Sequence, residues 1–144
     1  MIVNGHKIEP HAKLIGVNLT GAILTGAGLE GANLTGANLT RAKLTSAYLS
    51  GADLTGANLY DAKLNYAILR SAILHRANLT DAILIGADLY NASLIGADLT
   101  GADLTGAILT DVSLIGANLT RAKLTKAYLT GADLTGAIMT GVIR

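Results

Sequence analysis

The chain has 144 residues, 11 Lys and Arg against 10 Asp and Glu, and no cysteine, so its formal charge is +1. That length suits one domain, the charge gives no overall pull towards nucleic acid, and the missing thiols exclude disulfides and thiolate metal sites. The mean hydropathy of +0.46 is high, but apolar runs such as Ala82 to Ala87 are far shorter than the ~18 to 20 residues a bilayer crossing needs.

In chain order, the first element is the lead-in Asn4-Gly5-His6-Lys7-Ile8-Glu9-Pro10. It is expected to be an extended capping segment over residues 1–11 that covers the start of the domain, with Pro10 withholding one ladder hydrogen bond as an edge position allows. The amino terminus lacks the basic, apolar and cleavage segments of a secretory signal, from which a cytoplasmic location is expected.

From residue 12 to residue 144 one unit repeats: Ala, a variable residue, Leu, usually Thr, usually Gly. The centre is leucine at 25 successive positions from Leu14 to Leu134 and then Met139, and Ala stands two before it except at Val17 and Val112. On an α-helix leucines five apart would advance about 140° and reach every face; on a continuous strand they would alternate between faces. A very short extended side, with Ala and Leu both inward, followed by a corner satisfies the pattern. The corner slot holds 15 of the 17 glycines, as the positive φ of a type II turn favours.

Four right-angled corners close a square, which predicts a coil of 20 residues. The variable slot supports that number independently: Asn18, Asn38, Asn58, Asn78 and Asn118 recur at 20-residue spacing, with Asp98 in the gap. A long echo agrees, since the segment Ala37 to Leu49 returns as Ala117 to Leu129, four coils on. At about 4.8 Å per stacked strand, some six and a half coils give a rod on the order of 30 Å long.

These units, such as Ala32-Asn33-Leu34-Thr35-Gly36, resemble those of the pentapeptide-repeat family from Ala12 to Met139. The resemblance implies an all-β fold, a right-handed quadrilateral β-helix with four pentapeptides per coil. After Met139 comes Gly141-Val142-Ile143-Arg144, with no terminal helix, from which end-to-end self-association or fraying of the last half coil is expected.

The surface gives catalysis little to work with. His6 and His11 in the lead-in are five apart, a weak metal-binding spacing, and Asp98 and Asp103 stand on adjacent sides outside any cleft; both pairs read as solvated. No cofactor or metal is expected, and no enzymatic activity. The basic residues Arg41, Lys43, Lys63, Arg121, Lys123 and Lys126 share columns with Asp61, Asp81 and Asp103, so nucleic-acid binding is not expected either.

One region breaks the lattice: between Gly56 and Gly86 no corner is glycine. Tyr60, Tyr66, Arg70, His75 and Arg76 lie there and form the candidate binding patch for an anionic group or a protein, with Arg70 and His75 expected near Arg76 across one corner. Threonines 20, 40, 80, 100, 120 and 140 line a second regular column, interrupted by Tyr60, which suggests ice binding as a distant alternative. The family includes DNA-mimicking protectors of DNA gyrase; the charge of +1 and the absence of phenylalanine set this chain apart from them. The leading expectation is a non-enzymatic structural or protein-interaction scaffold, with the gyrase-directed role as the alternative.

Overall fold

The computed structural model describes all 144 residues. From Lys13 onward each variable-slot residue forms a parallel bridge with the residue 20 positions later: Lys13 with Asn33, Asn18 with Asn38, Ile23 with Lys43, Gly28 with Tyr48, and so on to Lys123 with Ile143. The chain is a right-handed quadrilateral β-helix whose coil is 20 residues. Four sides succeed one another in the first coil: Ala12–Ile15, Val17–Thr20, Ala22–Thr25 and Ala27–Glu30; each recurs every 20 residues.

Backbone hydrogen bonds explain how so short a strand persists. The Leu79 N–H donates to the Asp98 carbonyl at 2.7 Å and the Asn78 N–H to the Ala57 carbonyl at 2.9 Å, so each side is bonded to the coils above and below. At each corner the Ala N–H closes a turn on the preceding Leu carbonyl, as Ala82 does on Leu79 at 3.0 Å. Of the two central turn residues only the second has positive φ, the type II pattern. Threonine, the last residue of each side, is therefore also the first turn residue.

Alternation inside each unit builds the core. Ala and Leu point inward, and from Leu19 to Leu124 almost all are buried, including Leu34, Leu59, Leu79 and Leu99 at 0% exposure. Each such leucine contributes about 1.5 to 3 kcal/mol before entropy is subtracted, and no polar residue is buried among them. Alanine fills the inner corner, and at Val17 and Val112, where valine replaces it, the closing bond is longer, at 3.5 and 3.3 Å.

The two ends differ. Residues Ile2–Val3 (β1) and His6–Lys7 (β2) pair antiparallel, so the lead-in doubles back as a hairpin through Asn4 (φ 50°) and Gly5 (φ 80°). Two positive φ values make this the type I′ turn that Asn-Gly favours. Asn4 Nδ2 donates to the Asn18 carbonyl at 3.2 Å, and Ile8 is buried at 3% beside the fully covered Leu19. At the other end Ala127, Leu129, Ala132, Leu134, Ala137, Met139 and Val142 are only partly buried, and the N–H groups of Leu129, Leu134 and Met139 lack the ladder bonds their counterparts make.

Candidate functional sites on the four sides

Function must reside on the outer surface, because no cavity opens in the rod and no three His, Asp or Glu side chains converge. The outer surface is built from three slots per unit: the variable residue, the residue after Leu, and the corner.

The variable slot explains its own preference. Asn or Asp there accepts, through Oδ1, the N–H of the residue after Leu: Thr35 to Asn33 at 3.0 Å, Thr55 to Asp53 at 2.9 Å, Tyr90 to Asp88 at 3.1 Å. At six of these turns a following threonine also donates its hydroxyl to the same oxygen, as Thr40 does to Asn38 at 2.7 Å and Thr120 to Asn118 at 2.6 Å. This satisfies a turn N–H that the ladder leaves free. The asparagine column is thus mainly a set of local turn supports; the amide bridge between coils is drawn only from Asn78 Nδ2 to Asn58 Oδ1, at 3.2 Å.

Three carboxylates in this slot, Asp53, Asp103 and Asp133, are lowered. The Thr55 hydroxyl keeps Asp53 below the usual carboxylate range against a smaller burial effect, helped by the Thr55 N–H, Thr35 and the charge of His75. At Asp103 burial pushes upward most strongly of any single cause, but Thr105 and Lys123 together outweigh it and the carboxyl is lowered. Asp133 is lowered by the Thr135 hydroxyl and N–H.

Corners adopt positive φ whether or not they are glycine: Asp61, Tyr66, Ser71, Arg76 and Asp81 lie between 53° and 57°. Side chains at such corners lean along the rod onto the corner one coil later. His11 lies over Gly31, Tyr66 over Gly86, Asp81 over Gly101 and Asp111 over Gly131.

The five patch residues are spread round a girdle. Tyr60 ends the second side, Tyr66 is the corner between the third and fourth, Arg70 ends the fourth, His75 ends the next first side and Arg76 is the corner after it. His75 and Arg76 adjoin, while Arg70 is separated from them by a whole side. Arg70 Nε donates to Asp88 Oδ2 at 2.6 Å, and its guanidinium carbon lies 5.9 Å from the Tyr90 ring centroid. His75 Nε2 is 2.7 Å from Ser93 Oγ. Asp88 and Tyr90 were not singled out in the sequence; their 18- and 20-residue offsets from Arg70 are the signal that points to them.

The third side and the corner before it carry opposed pairs: Arg41 with Asp61 at 3.4 Å and Lys123 with Asp103 at 3.4 Å. The fourth side differs. Its variable column reads Gly28, Tyr48, Ile68, Asp88, Ile108, Tyr128, and Tyr66 and Tyr90 flank it, so four of the five tyrosines gather there. Those four are 42 to 62% exposed.

Comparison with known proteins bears on this surface. The family model for pentapeptide repeats matches residues 11–41, 37–76, 72–111 and 109–141. Among solved structures the chain is similar to Rfr23 from the cyanobacterium Cyanothece 51142, at 39% identity over 67% of this chain and 63% of that one, with a TM-score of 0.48. It therefore spans less than two thirds of the Rfr23 chain. It is also similar to HetL of the cyanobacterium Nostoc sp. strain PCC 7120, involved in heterocyst differentiation regulation, at 30% identity over 93% and 85% of the two chains and a TM-score of 0.26. A thylakoid-lumen protein of Arabidopsis thaliana matches at 31% identity over 69% and 66%, with a TM-score of 0.37. No curated protein matches the chain.

Proposed function

The chain belongs to the pentapeptide-repeat family, and from that premise we propose that it is a non-enzymatic scaffold that binds a protein partner on its flat sides. The observation that carries this reading is the fourth side, where exposed tyrosines and Arg70 surround a half-buried aliphatic column. Tyrosine and arginine are enriched where protein interfaces concentrate their binding energy. Dispersal of the remaining polar groups over an outward lattice, with no cleft to exclude water, argues against catalysis.

The similarity to HetL, a protein of differentiation regulation, fits a role exercised through binding. The paired charges of the third side and the corner before it, and the balance of 11 basic against 10 acidic residues, do not support a DNA-like surface, so the gyrase-directed alternative gains nothing. No helix is long and apolar enough to cross a membrane, and a cytoplasmic location is part of this reading.

The test is affinity capture with the intact chain as bait, followed by mass spectrometry. The reading expects a protein that is retained and is lost when Tyr48, Tyr90 and Tyr128 are replaced by serine. Retention indifferent to those changes, or turnover of a small molecule by the purified chain, overturns it.

A further inference from the structure

We propose that the fourth side pairs with the fourth side of a second copy, the two rods lying antiparallel about a two-fold axis at the level of Asp88. This names a partner for the interaction surface and rests on the scaffold reading above.

The column Tyr48, Ile68, Asp88, Ile108, Tyr128 is a palindrome on successive coils, joined by consecutive parallel bridges. A two-fold axis in the plane of the interface, along the strand direction, reverses the order of coils without moving a residue sideways. It therefore sets Tyr48 opposite Tyr128, Ile68 opposite Ile108 and Asp88 opposite Asp88. An isologous interface demands this self-complementarity of one patch. Two other sides hold four-residue palindromes, but Asn18, Asn38, Asn58, Asn78 on the second side offers no apolar group, and Ile23, Lys43, Lys63, Ile83 on the third would set Lys43 against Lys63.

Charge at the centre is matched. Two Asp88 carboxylates would repel across the axis, but each is already paired with Arg70 through Nε at 2.6 Å. The Arg70 side chain is 58% exposed and that of Asp88 15%, so the terminal guanidinium nitrogens stand outward and reach the carboxylate of the copy. The result is a neutral ring of two arginines and two aspartates.

The same axis sets Tyr90 opposite Tyr90 and Gly86 opposite Gly86. Since Tyr66 lies over its own Gly86, the two Tyr66 rings meet beside the axis. The aromatic and arginine groups thus gather at the middle of the patch, where binding energy concentrates. Five rungs about 4.8 Å apart and a side of four residues give a footprint on the order of 300 Å². That is below the roughly 800 Å² per partner of stable complexes, so the pairing is reversible and appears at high concentration.

The chain has no cysteine, which makes the register directly testable. The axis sets Ser50 opposite Thr130. Ser50→Cys and Thr130→Cys chains, mixed at about 1 mM to favour so small an interface, are treated with a bis-maleimide whose arm matches the ~10 Å between packed sheets. The expected result is mixed cross-linked product well above its statistical half share, with both like-with-like products correspondingly depleted. Introducing Ile68→Lys and Ile108→Lys into both chains should abolish that excess while the circular dichroism spectrum stays unchanged. A 1:2:1 product ratio, an excess of like-with-like product, or an excess that survives the lysines overturns the pairing. None of these results touches the capture experiment, so failure of the pairing and failure of the scaffold reading are told apart.

Discussion

Tyr66 lies over Gly86, one coil further along the rod: a β-carbon on Gly86 would stand 2.7 Å from both Cδ1 and Cε1 of the ring. Gly106, next in the column, would meet nothing within 4 Å. Both have positive φ, 64° and 66°, so an alanine at either costs about 1 kcal/mol in backbone strain. Gly86→Ala is expected to cost more than Gly106→Ala in urea unfolding. Tyr66→Ala should remove the excess, leaving a coupling energy of at least about 0.5 kcal/mol in the double-mutant cycle.

Arg76 sits at φ 55° in a corner column otherwise made of glycine, and forms no ion pair. Arg76→Gly relieves a left-handed backbone at the expense of unfolded-chain entropy, and the balance favours glycine by roughly 0.5 to 1 kcal/mol. A rise in thermal midpoint is expected, and an unchanged or lower midpoint would mean that the corner is unstrained.

Asn118 accepts from both the N–H and the hydroxyl of Thr120, at 3.0 and 2.6 Å. Asn118→Ala strands both donors and is expected to cost about 1 kcal/mol. Asn118→Asp should be nearly neutral, because Asp98 makes the same two bonds to Thr100 at 3.0 and 2.6 Å. Denaturant titration of the two variants separates the acceptor from the amide.

Much of this architecture is legible in the residues. The Leu and Ala positions reveal the inward faces because burial admits only apolar side chains there, and the Asn18-to-Asn118 spacing reveals the coil length. The hairpin is less plain, although Asn4-Gly5 between Val3 and His6 carries its signal. The corners are legible only where they are glycine: Tyr66 and Arg76 take the same backbone because coils above and below impose it, which is tertiary and not local. The 18-residue offset puts Arg70 and Asp88 on neighbouring coils, but which neighbour the side chain leans towards is decided by its rotamer and not by spacing.

Asp53, Asp103 and Asp133 are all held below the usual carboxylate range by threonine hydroxyls and N–H groups, with Lys123 adding to the effect at Asp103. A carboxylate depressed in the folded state contributes stability that is present above its unfolded pKa of about 3.9 and is lost as pH falls through the folded value. The thermal midpoint is therefore expected to be flat from pH 7 to pH 5 and to drop below pH 4. Replacing the three aspartates by asparagine, which makes the same turn bonds, should shrink that drop; an undiminished drop would place the acid sensitivity elsewhere.

The central claim is that the chain stacks on itself every 20 residues. Scalar coupling across hydrogen bonds measures it most directly, without substitution. The account predicts coupling from the Leu79 amide nitrogen to the Asp98 carbonyl carbon and from Leu59 to Asn78, each across a 2.7 Å bond. Couplings from the leucine amides at an offset other than 19 residues, or none from the interior leucines, would contradict it.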